Sequence, residues 1–306
     1  MRVELEHVSS LWFDTGAPVR AASAVAPLGD GWLIVQDDAT HAGWRRPAGT
    51  SAVRVVPPID GHETFSSAAG TKHLKPDFEA AAVVPVDGSS GVLLLGSGST
   101  PARMRASLVT LGATGPEFVV ADLTPVYREV AGALGLPADR LNLEGACVLG
   151  DRLRWFQRGN SAAGVPSAAV DVDLAALLAV VTGRGTAERV ATGDARSYDL
   201  GAVAGVALAV TDAVPLPDGR VLVSAAAEDT PNAVDDGPVV GAALAVLDDN
   251  GVRDATALPV ADGGDAYKVA GLAVSHVTED GLRLVAVVDA DDPDAASTQL
   301  ILRVWW

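Results

Sequence analysis

The sequence predicts an all-β fold, a five-bladed β-propeller that is closed by its N-terminal strand. The first observation is a pattern of two short apolar runs around a Gly-containing turn, which predicts a β-hairpin and occurs five times. The second is its period, because the copies lie roughly 55 to 70 residues apart, as expected for a long repeat. The third is an orphan strand at the start of the chain, which matches a last repeat that is one strand short. The five copies begin at Val19, Lys72, Asn142, Val210 and Lys268.

Each hairpin is followed by further strand-like runs that complete a blade of four strands. The first blade is predicted at 21–27, 31–37, around Trp44 and at 52–56, and the second at the hairpin within 72–99, then 104–111 and 117–121. The third has the hairpin at 142–160, then 168–172 and an outer strand at 189–191. The fourth adds 221–225, 242–247 and 255–258 to its first strand at Val210. The fifth supplies 269–275, 282–288 and 300–304, and residues 3–7 would complete it.

Two segments depart from this pattern. Apolar residues at helical spacing, followed by Gly135 and Pro137, predict a short helical insertion near 124–136. The run LAALLAVV at 174–181 has no clear period and fits a strand or a helix. If the region from this run to Ala204 contains another blade, the propeller has six blades, which is the alternative architecture.

Composition limits the classes of function. The net charge of −17 disfavours nucleic acid as a partner, because phosphate binding requires clustered Lys and Arg. No run approaches a membrane helix and MRVELEHVSSLWF lacks the apolar core of a signal peptide, so we expect a cytoplasmic protein without a membrane partner. Cys147 is the single cysteine and is expected to be buried and inert. The expectation is one domain over 1–306, with the oligomeric state left open.

Polar residues should converge at one mouth of the propeller channel. The connection entering the first strand of a blade lies on the same face as the loop that leaves the second strand. The entering residues are Lys75, Asp77, Glu79, Asn142, Glu144, Thr211, Asp212, Tyr267 and Lys268. The leaving residues are Asp37, Asp38, Ser97, Ser99, Arg158, Asn160, Glu228, Asp229, Asp289 and Asp291. Either a ligand or metal site, or the ordinary loop composition of an acidic protein, explains this set.

The mouth supplies the candidate site residues. Glu79 and Glu144 occupy equivalent positions in adjacent blades and are the candidate catalytic pair. Candidate substrate-binding residues are Lys75, Asn142, Arg158, Asp212, Glu228, Lys268 and Ser97. Candidate metal ligands are Asp77, Glu79, Glu144 and Asp289, whose oxygens suit Ca²⁺ or Mg²⁺. All three lysines of the chain, Lys72, Lys75 and Lys268, are expected at this mouth, and no organic cofactor is indicated. The 96–105 segment either presents Arg103 to an oxyanion or forms a plain turn.

The elements KPDFEAAAVVP, LLLGSGS and NLEGACVLGDRL resemble repeat signatures of bacterial esterase-like phytases and SdiA-regulated propeller proteins. The resemblance covers 77–79 and 143–145 well and 211–213 loosely. It implies a propeller with a divalent cation that hydrolyses a phosphoester or an ester.

Three classes of function follow. The leading hypothesis is a propeller that binds a small molecule at the channel mouth and acts as a metal-assisted hydrolase of an ester or phosphoester. The alternative is a non-catalytic binding or scaffold propeller. The third is a five-bladed glycosidase, for which the entering residues offer a single aromatic platform, Tyr267.

Overall fold

Five four-stranded antiparallel sheets form the blades of a β-propeller, which confirms the predicted fold. The structure is a computed structural model that describes residues 1–230, 237–261, 263–289 and 295–306. Strands are numbered in chain order. Blade 1 is β2 (Ala22–Leu28), β3 (Gly31–Gln36), β4 (His41–Arg46) and β5 (Gly49–Arg54), and blade 2 is β6 (Phe78–Val86), β7 (Ser89–Gly96), β8 (Arg105–Gly112) and β9 (Gly115–Asp122). Blade 3 is β10 (Leu143–Leu149), β11 (Arg152–Gln157), β12 (Ser167–Asp173) and β13 (Arg196–Tyr198). Blade 4 is β16 (Ala209–Pro215), β17 (Val221–Glu228), β18 (Val239–Asp248) and β19 (Gly251–Ala257), and blade 5 is β20 (Val269–Val277), β21 (Gly281–Val288), β22 (Thr298–Trp305) and β1 (Arg2–Ser10).

The N-terminal strand closes the ring as predicted. β1 pairs antiparallel with β22, from Arg2 opposite Trp305 to Ser10 opposite Thr298. Blade 5 therefore combines three strands from the end of the chain with one from its start. Between β1 and β2 the chain forms a hairpin over residues 11–19, whose backbone bonds reach Ser297 of blade 5 and Thr50 of blade 1.

Inner strands of neighbouring blades pack almost backbone to backbone. Gly145 in β10 has a φ of 69°, and a Cβ there would lie 2.7 Å from the Asp212 Cα of β16. A Cβ on Gly271 of β20 would likewise lie 2.7 Å from the Ala24 Cα of β2. Glycine is required at these two positions because any side chain would push the inner strands apart. The blades converge around a narrow channel as a result.

Two helices lie outside the blades. The predicted insertion is α1 (Thr124–Leu134), which ends at Gly135 in the left-handed conformation. It buries Tyr127, whose ring meets that of Trp155 edge-on at 4.8 Å between centroids. Such a pair adds about 0.5–1.5 kcal/mol to the burial of its surface. The helix thereby seals the junction between blades 2 and 3.

The ambiguous run LAALLAVV forms α2 (Leu174–Val181). Asp173 decides for the helix, since its carboxylate accepts the Ala176 N–H at 2.8 Å and caps the first turn. Leu174, Leu177 and Val181 then point into the core. The predicted outer strand at 189–191 is wrong, because a 3-10 turn occupies Ala187–Arg189 and β13 forms the outer strand instead.

The six-bladed alternative is also wrong. Between α2 and Ala204 the described chain adds β13 to blade 3 and then enters a two-stranded hairpin, β14 (Ala202–Val203) and β15 (Val206–Ala207). These elements are too short to make another blade. In the described parts of the chain, neither helix has the length and apolarity needed to cross a membrane.

Candidate functional site

A β-bulge lies at the mouth end of the inner strand of every blade. In each hairpin one extra residue interrupts the register; the unpaired residues are Ser23, Glu79, Thr211 and Ala270 in blades 1, 2, 4 and 5, and Glu144 with Gly145 in blade 3. A bulge twists the strand and redirects its side chain. The Ser23 and Thr211 hydroxyls donate to backbone carbonyls of the next inner strand. The remaining polar members of this ring are Glu79 and Glu144, the two residues predicted as the catalytic pair.

The first group of charges lies between blades 1 and 2 and is called the lysine cluster here. Its members are Asp37, Lys75, Asp77, Glu79, Ser97 and Arg103. The Lys75 ammonium lies between two aspartates, 2.5 Å from Asp37 Oδ2 and 2.6 Å from Asp77 Oδ1. Arg103 contacts the other oxygen of Asp77 at 3.0 Å, and the Ser97 hydroxyl donates to that same oxygen. Both oxygens of Asp77 are therefore engaged by cations.

Burial and charge act in opposite directions on these groups. Burial favours the neutral form of Asp77, but Lys75 and Arg103 outweigh it and lower the pKa of that carboxyl. Burial also disfavours the Lys75 ammonium, yet the charges of Asp37 and Asp77 raise its pKa well above the usual value. The neighbouring Asp38 has its pKa raised to about 6 by burial and by Asp37, although Arg20 and Lys75 oppose the shift. Both shifts favour the charged forms of Asp77 and Lys75.

Glu79 is the exception within the lysine cluster. Its side chain is partly exposed and forms no hydrogen bond or ion pair with any residue that the structure describes. Burial, followed by the charges of Asp37 and Asp77, raises the pKa of Glu79 well above its usual range, and Glu144 adds to the shift while Lys75 opposes it. This carboxyl therefore favours the protonated form and has its polar atoms available to a ligand.

The second group lies between blades 3 and 4 and is called the arginine cluster here. Its members are Asn142, Glu144, Arg158, Glu228 and Lys268. The Arg158 guanidinium donates to Glu144 at 2.9 Å and to Glu228 on the next blade. Asn142 donates to the same Glu144 oxygen at 3.0 Å, and the Lys268 ammonium lies 3.3 Å from Glu228. The guanidinium thus links two carboxylates of adjacent blades.

The pKa values of the two glutamates in the arginine cluster are shifted in opposite directions. Burial raises the pKa of Glu144 although Arg158 opposes the shift. Burial acts the same way on Glu228, but Arg158 and Lys268 outweigh it and lower the pKa of that carboxyl. Asn142, Arg158 and Glu228 also line a polar cavity of about 250 Å³, and the first two of these residues hydrogen-bond Glu144, which does not line the cavity itself. Loop residues 159–162 and the β14–β15 hairpin form its other walls.

The structure places most of the predicted site residues in these two clusters. Lys75, Asp77, Glu79 and Ser97 belong to the first, and Asn142, Glu144, Arg158, Glu228 and Lys268 to the second. Asp212 lies in the channel wall instead, almost fully buried, and accepts the backbone N–H groups of Leu272 and Ala213 at 2.5 and 2.8 Å. Of the residues predicted for loops of this face, Asp291 lies outside the described residues.

Sequence reasoning missed two partners in the lysine cluster. Asp37 was placed at the mouth but not in the site, although it binds Lys75. Arg103 was considered for an external oxyanion, whereas its guanidinium contacts Asp77. The signal for Asp37 was the isolated lysine beside Asp77, because a lysine at a channel mouth needs compensating carboxylates from neighbouring loops, whereas no local signal pointed to the contact of Arg103 with Asp77.

The carboxylates provide a partial fit to a divalent cation. Among the described residues, oxygens of Asp37, Asp77 and Glu79 approach within 4.8 Å of one another, while Glu144 and Asp289 are not part of that group. Ca²⁺ requires six to eight oxygen ligands. Lys75 already lies between Asp37 and Asp77, so a cation would compete with its ammonium. The predicted four-residue metal site is not brought together as one set.

Known proteins resemble this chain mainly in fold. None of the curated protein sequences matches it. A hypothetical protein from Leishmania major is 12% identical, with a TM-score of 0.50 over 98% of this chain and 91% of the other. Mannose phosphorylase MPT-4 from Leishmania mexicana is 14% identical, with a TM-score of 0.47 over 97% and 88%. Endo-arabinase from Bacteroides thetaiotaomicron is 10% identical, with a TM-score of 0.47 over 97% and 98%.

Likeness at such low identity shows the fold alone, and the fold does not specify a reaction. A family model matches residues 71–293, which contain the inner strands of blades 2 to 5 and both charge clusters, apart from Asp37 of the first. The chain belongs to this family, which is described as a family of unknown function (DUF6910).

Proposed function

We propose that the channel mouth binds a small polar molecule and hydrolyses an ester or phosphoester bond in it, with Glu79 as the general acid. The observation that supports this role is the state of Glu79. It is a carboxyl with a strongly raised pKa, and it contacts no hydrogen-bonding partner among the described residues. A carboxyl whose pKa is raised and that faces a channel can donate its proton to a leaving oxygen.

Glu144 is the complementary group. It accepts hydrogen bonds from Arg158 and Asn142, which orient one of its two oxygens. In the proposed reaction Glu144 takes a proton from water, the resulting hydroxide attacks the carbonyl carbon or phosphorus, and Glu79 gives its proton to the departing oxygen. Both carboxyls then exchange a proton with solvent to return to their starting states. Two neighbouring carboxyls held in different environments are the usual basis for such a division of roles.

Size and charge restrict the substrate. The cavity of about 250 Å³ beside Glu144 is smaller than the pockets that hold drug-sized ligands, which measure about 300–1,000 Å³. Lys75, Arg103, Arg158 and Lys268 are each neutralised by at least one carboxylate. These paired cations suit a small substrate with at most one negative charge better than a polyphosphate.

The proposal needs no metal, because Lys75 and Arg103 already neutralise Asp77. Calorimetric titration with Ca²⁺ and Mg²⁺ tests this point. We expect no heat and no thermal shift at millimolar metal. A stoichiometric binding heat that Asp37→Asn abolishes would support the metal-assisted version of the reaction instead.

Hydrolysis of alkyl esters, alkyl phosphoesters and alkyl glycosides, whose poor leaving groups need a proton to depart, tests the proposed activity. Glu79→Gln removes the transferable proton and should lower the rate by about 10²- to 10⁴-fold. Glu144→Gln should do the same, while Glu129→Gln on the exposed side of α1 serves as the matched control. Release of alcohol that is equal in the Glu79→Gln and wild-type proteins would refute the role of Glu79. Turnover confined to glycosides would assign the same carboxyl pair to a glycosidase.

A non-catalytic binding propeller is the second candidate. It is favoured by the arginine cluster, in which one guanidinium connects two blades, and by the cavity that Asn142, Arg158 and Glu228 line. In that case wild type shows no turnover with any substrate class. Glu144→Gln would then change only the affinity for a ligand of the cavity.

A further inference from the structure

A second cleft lies on the face of blade 1 that is opposite the channel mouth. Its volume is about 510 Å³. The β2–β3 turn and the β4–β5 turn form its rim, and both turns lie at the ends of their strands remote from Asp37. The side chains that define the cleft are those of Trp12, Asp14, Asp30, Trp32, Arg45 and Arg46. This combination is absent from the two charge clusters at the mouth.

Trp12 is held at the surface by the hairpin of residues 11–19. Leu11 and Phe13 on either side of it are buried, so the alternation of side chains turns the indole outward. The Trp12 side chain remains 50% exposed. Asp14 anchors the same hairpin to blade 1 by accepting the Thr50 N–H at 2.8 Å. The exposed indole therefore sits on a fixed support.

Trp32 and Arg45 form the opposite wall. They are direct cross-strand partners in β3 and β4, so their side chains stand on one face of the sheet. The Arg45 guanidinium forms no ion pair or hydrogen bond with a described residue, and the same is true of the Asp30 carboxylate. Trp44, by contrast, donates its indole N–H to the Leu28 carbonyl and is covered by the Arg46 guanidinium at 4.1 Å.

The chemistry of these groups selects a ligand class. Indole rings pack against the apolar C–H face of a sugar ring. Planar guanidinium and carboxylate groups offer paired donors or paired acceptors, which suit two adjacent hydroxyls. Two arginines and two aspartates balance one another, so neither an anionic nor a cationic ligand is favoured by net charge. Solvent-facing aromatic surface of this kind marks an interaction site when polar residues border it.

We propose that this cleft is a binding site for a neutral saccharide, with Trp12 and Trp32 as the stacking surfaces and Arg45 and Asp30 as the hydroxyl-binding groups. It is separate from the channel mouth and does not depend on hydrolysis there. The site lies in the first 50 residues of the chain, before the segment that matches the family model.

Isothermal titration calorimetry with neutral oligosaccharides of glucose, mannose, xylose, galactose and arabinose tests the proposal. We expect wild type to bind at least one of them. Trp12→Ala and Arg45→Met should each weaken that binding tenfold or more, whereas Trp12→Phe retains an aromatic face and should weaken it less. Trp306→Ala is the matched control, because Trp306 is 52% exposed outside the cleft. Glu79→Gln should also bind like wild type.

Three outcomes would overturn the proposal. The first is an absence of binding to all five sugars at about 10 mM, which excludes even a weak millimolar site. The second is equal binding by the Trp12→Ala and wild-type proteins. The third is a preference for an acidic probe, oligogalacturonate, over every neutral sugar, which would replace the neutral ligand class with an anionic one.

Discussion

The lysine cluster and the arginine cluster both neutralise buried carboxylates with a cation, but only the lysine cluster leaves one glutamate without an ion pair among the described residues. Each uses one cation to link carboxylates of adjacent blades, Lys75 between Asp37 and Asp77, and Arg158 between Glu144 and Glu228. The compact ammonium leaves the neighbouring Glu79 without a hydrogen-bonding partner among the residues that the structure describes. The guanidinium is a planar fork that binds both of its glutamates. A carboxyl at a β-bulge is therefore available to a ligand where the neighbouring carboxylates already bind the nearby cations.

The two clusters should differ most in the free energy of unfolding that is lost when Lys75 or Arg158 is replaced. Lys75→Met leaves Asp37 and part of Asp77 uncompensated in a buried place, and breaking such a buried pair costs about 3–5 kcal/mol. The cost should shrink as the pH falls toward 4, since protonation removes the excess charge. Urea unfolding at pH 7 and pH 4 measures it. A loss below 1 kcal/mol at pH 7 would place Lys75 outside a buried network.

Arg158→Met should cost less, about 1–3 kcal/mol. Glu144 can accept a proton because its pKa is already raised, and Lys268 continues to neutralise Glu228. The same urea series serves as the measurement, with Arg128→Met on the exposed surface of α1 as the control. If Arg158→Met destabilises the protein more than Lys75→Met does, the two clusters differ in the opposite sense from the one inferred here.

The unpartnered state of Glu79 predicts a pH dependence with a definite sign. A carboxyl whose pKa is raised in the folded protein binds more protons there than in the unfolded chain, so its contribution to stability falls as the pH rises above the usual glutamate pKa. Glu79→Gln removes this loss. Its advantage over wild type should grow as the pH rises above the usual glutamate pKa, by about 1.4 kcal/mol in all for each unit of the pKa shift.

Thermal unfolding at several pH values gives that comparison. Glu129→Gln should run parallel to wild type across the range. A Glu79→Gln curve that is also parallel to wild type would mean that Glu79 titrates normally.

The smallest effect is expected for Lys268→Met. Lys268 contacts Glu228 at 3.3 Å, and Glu228 keeps both Arg158 and the Gly237 N–H at 2.9 Å. The loss should be about 1 kcal/mol, because the buried Glu228 carboxylate keeps those two partners. Unfolding free energies at low and high salt measure it. A loss comparable to that of Lys75→Met would show that Lys268, and not Arg158, is the main cation that stabilises the arginine cluster.

The sequence predicted the blades because hairpins and turns leave local marks, such as Asp87-Gly88 between two apolar runs. It predicted closure because the strand at residues 3–7 had no neighbour along the chain. The outer strand of blade 3 was not predicted, because the three residues of Arg196–Tyr198 are too few to show an alternation of apolar and polar side chains. The capping role of Asp173 was present in the sequence but was not used.

The sequence predicted which residues lie near the channel mouth but not which of them contact one another. Turn positions indicated which residues share the mouth, and most of them do lie there. The bulges at Glu79 and Glu144 depend on the register between two strands, which the sequence does not show. The ion pair between Arg103 and Asp77 joins the two ends of a long hairpin. Pairings of this kind follow from tertiary geometry and not from local propensity.

The β1–β22 seam also determines how the ring responds to force. Arg2 lies opposite Trp305, so the outer ends of these two antiparallel strands are at the same end of the seam. A pull on the two chain ends therefore loads the hydrogen bonds one pair after another, as in opening a zipper, and does not shear them together. The seam should open at lower force than any blade whose strands are joined by turns. During folding it must also form across almost the whole chain length, which makes it a slow, late contact.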